Sequence, residues 1–281
     1  MAEKYRLALI TGGSSGIGLA LAKELAQEGT DLCLLARDEV KLAEAKQEVQ
    51  KMAARDNQII TTLSCDITEH EALAETLDTF VGENGLPDLV INSAGVTYPG
   101  YFQELDIDIF HWLMEVNYFG TLHVCKSLVS GMIERGSGTI VNISSQAGFI
   151  GVFGYSGYGA SKYAVRGFSD VLRSEMKPLG IQVSIVFPPD TQTPQLDFED
   201  PLKPMETREL AGNVKILSAE TVAKAILKAV RKGHYVIIPG IGGKFFYHLT
   251  RLLGNLTYPV MDWMVRGAQK KKNIESNRKS K

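Results

Sequence analysis

The sequence predicts an α/β fold in a single domain: a doubly wound, mostly parallel sheet with helices on both faces. Three observations predict it. Short apolar runs recur at 5–11, 31–36, 58–64, 88–92, 139–143, 181–187 and 234–238, helical patterns separate most of them, and a glycine-rich turn follows the first. Apolar runs of about five to seven residues bounded by turn residues suit strands buried on both faces of a parallel sheet. Their alternation with helical periodicity is that of βαβ units. With 281 residues and 44% hydrophobic content, the chain fills one large core without requiring a second domain.

The first strand begins almost at once, in Tyr5-Arg6-Leu7-Ala8-Leu9-Ile10, without a preceding apolar signal segment and cleavage site, so a cytoplasmic location is expected. Helices are expected at 16–28, 38–53, 69–84, 106–132, 156–178 and 218–232. Ile17, Leu21 and Leu25 make the inward stripe of the first. Asp38 caps the second, whose Lys41, Glu44, Lys46 and Glu48 read as a solvated face, and Pro178 ends the fifth. Residues 188–215 form the longest irregular segment, rich in Pro, Asp and Thr. It follows a strand end, where open α/β sheets bind ligands, and is the expected substrate lid. The domain, lid included, is expected over 1–240, with an apolar extension at 241–267 and a basic, disordered tail at 268–281.

Net charge is −2, but residues 268–281 carry six Lys/Arg against one Glu, which leaves −7 for the remainder. The main body therefore offers no footprint for nucleic acid. Cys33, Cys65 and Cys125 are odd in number and lack metal-ligand spacing, which suits free thiols in a reducing compartment. His70, His111, His123, His234 and His248 are scattered, and no metal site is expected.

Thr11-Gly12-Gly13-Ser14-Ser15-Gly16-Ile17-Gly18 lies between the first strand and first helix. There the chain can turn tightly while backbone N–H groups and a helix N-terminus approach a pyrophosphate, as in a Rossmann fold. Gly12, Ser14, Ser15, Gly16, Ile17 and Gly18 are the candidate residues of that turn. The second strand ends at Ala36-Arg37-Asp38, with no acid at position 36 for a ribose hydroxyl. Arg37 can instead meet a 2′-phosphate, which favours NADPH over NADH; a surface pair with Asp38 is the competing explanation. Asp66 can accept from an adenine amino group, and Asn92-Ser93-Ala94-Gly95 can bring its backbone to the adenosine ribose.

Tyr158 and Lys162 stand four apart, thirteen residues and more beyond Ser145. On a helix they share a face, so the ammonium is expected near the phenol and to favour its ionised form. The set Thr-Gly-x-x-x-Gly-x-Gly, Asn-Ser-Ala-Gly, Asn117, Ser145 and Tyr158-x-x-x-Lys162 resembles the short-chain dehydrogenase/reductase family over about residues 5–240. That resemblance implies that Tyr158 protonates a ketone oxygen as the nicotinamide delivers hydride, Lys162 contacts the nicotinamide ribose, and Ser145 orients the carbonyl. Asn117 would support a water leading from Lys162 to solvent. Pro188, Thr191 and Thr193 would line the cofactor, Thr193 near its carboxamide or phosphate. The family's usual Pro-Gly is here Pro188-Pro189, which stiffens the chain and removes one donor.

Pro-Pro-Asp-Thr-x-Thr-Pro, Lys203-Pro204-Met205-Glu206-Thr207 and Ser144-Ser145-Gln146-Ala147-Gly148 resemble the 3-ketodihydrosphingosine reductase branch. The branch implies NADPH-dependent reduction of the C3 ketone of a long-chain sphingoid base, hence a lipid ketone as substrate. Residues 241–265 are rich in Phe, Tyr, Leu, Met and Trp but interrupted by Lys244, His248, Arg251, Gly254, Pro259 and Asp262. A spanning helix is not expected; peripheral membrane contact, pocket cover and an oligomer interface all fit. By resemblance, helices around 106–132 and 156–178 would pair in a homo-oligomer. Tyr98, Tyr101, Phe102, Phe149, Phe153 and Tyr155 fit pocket lining and core packing equally. Alternatives are a reductase of a steroid or 3-oxoacyl thioester and a non-catalytic NADPH sensor.

Overall fold

The computed structural model describes residues 5–212 and 216–279, with side chains through Lys270. Seven strands form the main sheet: β1 (Leu7–Thr11), β2 (Asp31–Ala36), β3 (Ile60–Ser64), β4 (Leu89–Asn92), β5 (Gly138–Ile143), β6 (Ile181–Val186) and β9 (Val236–Ile237). Their order is β3-β2-β1-β4-β5-β6-β9 and every pairing is parallel. The order turns back between β1 and β4, so the strand ends there open a crevice. The intervening β7 (Thr191–Gln192) and β8 (Leu217–Ser218) pair separately.

The alternating strand side chains serve two cores. Ala8 and Ile10 face one side, packed with Leu21 and Leu25 of α1 (Gly16–Gln27), Leu42 and Val49 of α2 (Glu39–Gln50), and Val222 and Ile226 of α9 (Ala219–Val230). Leu7 and Leu9 face the other, with Leu73 and Leu77 of α3 (His70–Asn84), Val124 and Leu128 of α5 (Gly120–Arg135), and Leu172 of α6 (Ser156–Met176). This period-two division explains the continuously apolar strands. Asp38 caps α2 as expected, accepting from Lys41 N–H.

Three stretches differ from the sequence expectation. The expected helix at 106–132 is α4 (Ile107–Met114), a π-turn at Glu115–Phe119, then α5. The wider turn lets Asn117 bond sideways to the strand-end loop: its Oδ1 accepts from Val96 N–H and its Nδ2 donates to Val96 O. Within the expected irregular lid lie α7 (Pro194–Glu199) and α8 (Met205–Ala211). Two of its prolines start helices rather than loops: Thr193 caps α7 and Pro194 occupies the first turn, while Pro204 precedes α8. Positions 213–215 of the lid lie outside the described residues. Because β7 pairs with β8, the two ends of the lid are tied together.

The apolar extension folds as α10 (Ile241–Leu253) and α11 (Thr257–Lys279), broken at Gly254 with φ 52. Helix thus runs into the segment expected as a disordered tail, where Ala, Gln and three lysines are all good helix formers. Positions 280 and 281 lie outside the described residues. Tyr247 of α10 is buried against Phe149 and Phe187, with ring centroids 5.1 and 6.2 Å away, while α11 packs on α8. Among the described residues no helix is long and apolar enough to cross a membrane.

Candidate active site

The glycine turn leaves no room for side chains. Gly12 has φ 66, and a Cβ there would sit 2.9 Å from Ala94 Cα; one on Gly18 would meet Gly12 O at 2.3 Å. The turn is therefore pressed onto the loop after β4, and Thr11 Oγ1 fixes that loop by accepting from both Ser93 and Ala94 N–H at 3.1 Å. A Cβ on Gly16, φ 54, would meet Thr193 Cγ2 at 3.1 Å, which brings the start of the lid to the same turn. Ser15 stands before α1 without a side-chain cap, so first-turn N–H groups remain for an anion. Ser14 and Ile17 are half-buried beside them. This backbone cradle fits the pyrophosphate of a dinucleotide.

Arg37 and Asp66 line a shallow cleft of about 320 Å³ with Thr68, Glu69, Trp112, Glu115 and Val116. Arg37 pairs with Asp66 at 3.5 Å rather than with Asp38. Burial works against the Asp66 carboxylate, but the Thr68 N–H and hydroxyl and the Arg37 charge outweigh it and hold its pKa below the ordinary value. Of the Asn92-to-Gly95 loop, Asn92 turns its side chain into the sheet, donating to Asn142 Oδ1 at 2.8 Å. Ala94 and Gly95 supply only backbone. A Cβ on Gly95 would lie 3.0 Å from Asn117 Oδ1 and 3.2 Å from Lys162 Nζ, so the two side chains meet around a space that only glycine leaves open. Thr191 donates to Pro189 O at 2.7 Å, and Pro188 O accepts from Gln146 N–H, which stitches the Ser145 loop to the lid.

Tyr158 and Lys162 share the buried face of α6. The Lys162 ammonium lies 5.7 Å from the Tyr158 ring centroid and donates to Ile143 O at 3.2 Å. Ser145 lies close enough to the Tyr158 phenol to favour its ionised form, and it accepts from Ala147 N–H. Neighbouring Ser144 instead donates to Lys162 O inside the fold, which separates the two serines by function. Asn117 donates to Ser161 Oγ, so it grips α6 one residue before the lysine. The electrostatics correct one expectation. Burial, against the opposing influence of Ser145, pushes the Tyr158 phenol above its ordinary pKa instead of below it, with Glu199 and Asp190 adding to the rise. Burial also lowers Lys162 to about 8. The free protein thus holds Tyr158 as O–H, the form needed to donate a proton to a developing alkoxide.

The lid adds residues the sequence reading missed. Gln195 lies close enough to the Tyr158 phenol to favour its ionised form, and Glu199 accepts from the Tyr155 hydroxyl at 3.0 Å and pairs with Lys203 at 3.3 Å. Their signal was the four-residue spacing Gln195, Glu199, Lys203, hidden because Pro194 and Asp197 suggested a loop.

Comparison with known proteins agrees with this geometry. The family model for short chain dehydrogenase matches residues 6–201. A 3-dehydrosphinganine reductase of Danio rerio is 39% identical over 243 residues, spanning 86% of this chain and 73% of that protein. A 3-ketodihydrosphingosine reductase of Dictyostelium discoideum is 40% identical, spanning 82% and 73%. Among solved structures, a short-chain dehydrogenase from Sphingobium yanoikuyae in complex with NADPH superposes with TM-score 0.75 at 26% identity, covering 91% of this chain and 95% of that one. The chain belongs to the short-chain dehydrogenase family.

Proposed function

We propose that this protein reduces the C3 ketone of 3-ketodihydrosphingosine to dihydrosphingosine with NADPH. The observation that carries the reaction type is the buried meeting of Ser145, Tyr158 and Lys162 beside the glycine cradle. The choice of ketone rests on relatives named for that activity at 37–40% identity. NADPH, when bound, supplies the hydride.

This chain's residues do the rest. Tyr158 donates its hydroxyl proton to the ketone oxygen, and the Ser145 hydroxyl donates a hydrogen bond that strengthens as charge grows there. Lys162 holds a positive charge beside the phenol and stabilises the phenolate left behind. Asn117 and Lys162, facing each other at Gly95, can lead a proton back from solvent. Gly12, Ser14, Ser15, Gly16, Ile17 and Gly18 would hold the pyrophosphate. Arg37 would take the 2′-phosphate and Asp66 the adenine, Ala94 and Gly95 would hold the ribose, and Pro188, Thr191 and Thr193 would line the nicotinamide end.

A long-chain substrate has to leave a membrane or micelle. α10, α11 and the turn between them expose Ile241, Phe245, Leu252, Leu256, Tyr258 and Trp263, beside Lys244, Arg251 and Arg266. An apolar face edged by cations suits the surface of an anionic bilayer, so the reading includes peripheral membrane contact. It also includes a homo-oligomer through α5 and α6, which expose Ile133, Tyr163 and Val171.

The test follows NADPH oxidation and product identity with 3-ketodihydrosphingosine in detergent, alongside NADH, a steroid ketone and an acetoacetyl thioester. Preferential, NADPH-dependent formation of dihydrosphingosine is the expected result. Turnover of another ketone alone would reject the substrate and keep the chemistry. Cofactor binding without turnover of any ketone would favour a sensor.

A further inference from the structure

The lid carries a buried charge that ketone chemistry does not require. Glu199, Lys203 and Tyr155 are all buried, and both contacts to Glu199 fall on one oxygen: Tyr155 Oη at 3.0 Å and Lys203 Nζ at 3.3 Å from Oε1. Thr97 borders the same carboxylate and favours its ionised form, while its buried Oγ1 makes no hydrogen bond of ordinary geometry among the described residues. The group sits beside the reacting atoms. Gln195, which lies beside the Tyr158 phenol, precedes Glu199 by four residues on α7 and so shares its face about one helical turn away. The Tyr155 and Tyr158 rings are 5.6 Å apart.

A carboxylate this buried is costly unless a cation meets it, and an orphaned hydroxyl is costly unless a ligand reaches it. Lys203 meets the first need in the free protein, yet it also has an exposed partner, Asp200, at 3.3 Å. It can turn to Asp200 without losing its ion pair. We propose that Glu199 and Thr97 form a recognition site for an ammonium next to the substrate ketone, with the Lys203 ammonium occupying that place until substrate arrives. This rests on the function proposed above, since the sphingoid ketone carries an amine on the carbon adjoining its carbonyl. An ammonium has three donors, and Glu199 Oε2 and Thr97 Oγ1 have capacity to accept. Burial pushes the Glu199 carboxyl above its ordinary value despite the pull of Thr97, Lys203 and Tyr155, so a neighbouring cation favours its ionised form. The site would discriminate among lipid ketones by charge rather than by chain length.

The test compares kcat and KM for 3-ketodihydrosphingosine with those for its N-acetyl derivative and for a hydroxyketone of equal chain length lacking the amine. The wild-type protein should prefer the free amine by about tenfold or more in kcat/KM, as expected for a charge-assisted hydrogen bond in a dry site. Glu199→Gln, which keeps an acceptor for Tyr155, should erase that preference by raising KM for the amine at least tenfold more than for the amine-free ketone. Thr97→Val provides a second variant: it removes a buried hydroxyl that makes no hydrogen bond of ordinary geometry and keeps the side-chain volume, so the melting temperature should change little while the preference falls a few-fold. Equal use of all three ketones by the wild type would overturn the inference and leave the reductase assignment standing. So would an equal loss on all three in both variants, which would make the cluster purely structural. Reduction of none of them, with NADPH bound, would overturn the function proposed above and this inference with it.

Discussion

The two ends of the crevice are built by different means. At the nucleotide end, backbone does the work: Gly12 and Gly18 are pressed against neighbouring main chain, and the walls come from β1, β4 and α1, whose core residues are fully buried. At the substrate end the determinants are side chains on short helices, Gln195 and Glu199 on α7, backed by Tyr247 of α10 and by α11 against α8. Backbone can recognise what every dinucleotide shares, whereas substrate choice needs groups that differ from one reductase to another. The first end should therefore be intolerant of any added atom, and the second tolerant in stability while sensitive in specificity.

Lys162→Met joins the largest losses to a gain. Activity should drop by about a hundredfold or more, because the phenolate loses its cation. The free protein should become more stable. Lys162 is lowered from 10.5 to about 8 by burial, a difference on the order of 3 kcal/mol at about 1.4 kcal/mol per unit. The unfolded chain binds this proton more tightly, so the cost of the buried charge is complete below about pH 8 and is relieved as pH rises toward 10.5. Denaturant midpoints from pH 7 to 10.5 should rise in the wild type relative to the variant. A variant no more stable than the wild type at pH 7 would show that Lys162 is not strained by burial.

Gly18→Ala comes next. Its Cβ would lie 2.3 Å from Gly12 O, with main chain on both sides and no flexible tip to yield. About 1–3 kcal/mol of stability should be lost, together with most NADPH affinity, read by cofactor fluorescence titration. Full affinity in that variant would break the contrast at its rigid end. Arg37→Ala should reduce the preference for NADPH over NADH about tenfold and leave kcat with saturating NADPH nearly unchanged. The smallest thermodynamic effect belongs to the exposed face. Phe245→Ser with Trp263→Ser should move the melting midpoint little, since both side chains are exposed, while weakening flotation with anionic vesicles. Unchanged flotation would assign that face to a second copy of the chain, which light scattering would detect.

The sheet was legible because its strands are apolar throughout, and the cofactor turn because glycine spacing between a strand and a helix is a backbone requirement visible in residue types. Ser145, Tyr158 and Lys162 were legible as a set, but their electrostatics were not. The sign of the Tyr158 shift depends on how deeply the phenol is buried, which no spacing encodes. The lid was misread for a local reason: Pro194 and Pro204 are loop formers inside a run and helix starters at its head; Thr193 accepting from Leu196 N–H marks the first start, and no side-chain cap marks the second. The π-turn at Asn117 was likewise invisible, because the expected helix continues on both sides of it and the turn answers to the Val96 loop twenty-one residues away.

The account depends most on separating cofactor binding from proton donation. Tyr158→Phe removes one oxygen from a buried ring on α6 and touches nothing in the glycine cradle. NADPH should bind this variant as tightly as the wild type, while formation of dihydrosphingosine from 3-ketodihydrosphingosine, followed by mass spectrometry, should fall by about 10²–10⁴-fold. Product formation at the wild-type rate would contradict the account, since the proton would then come from a group other than Tyr158.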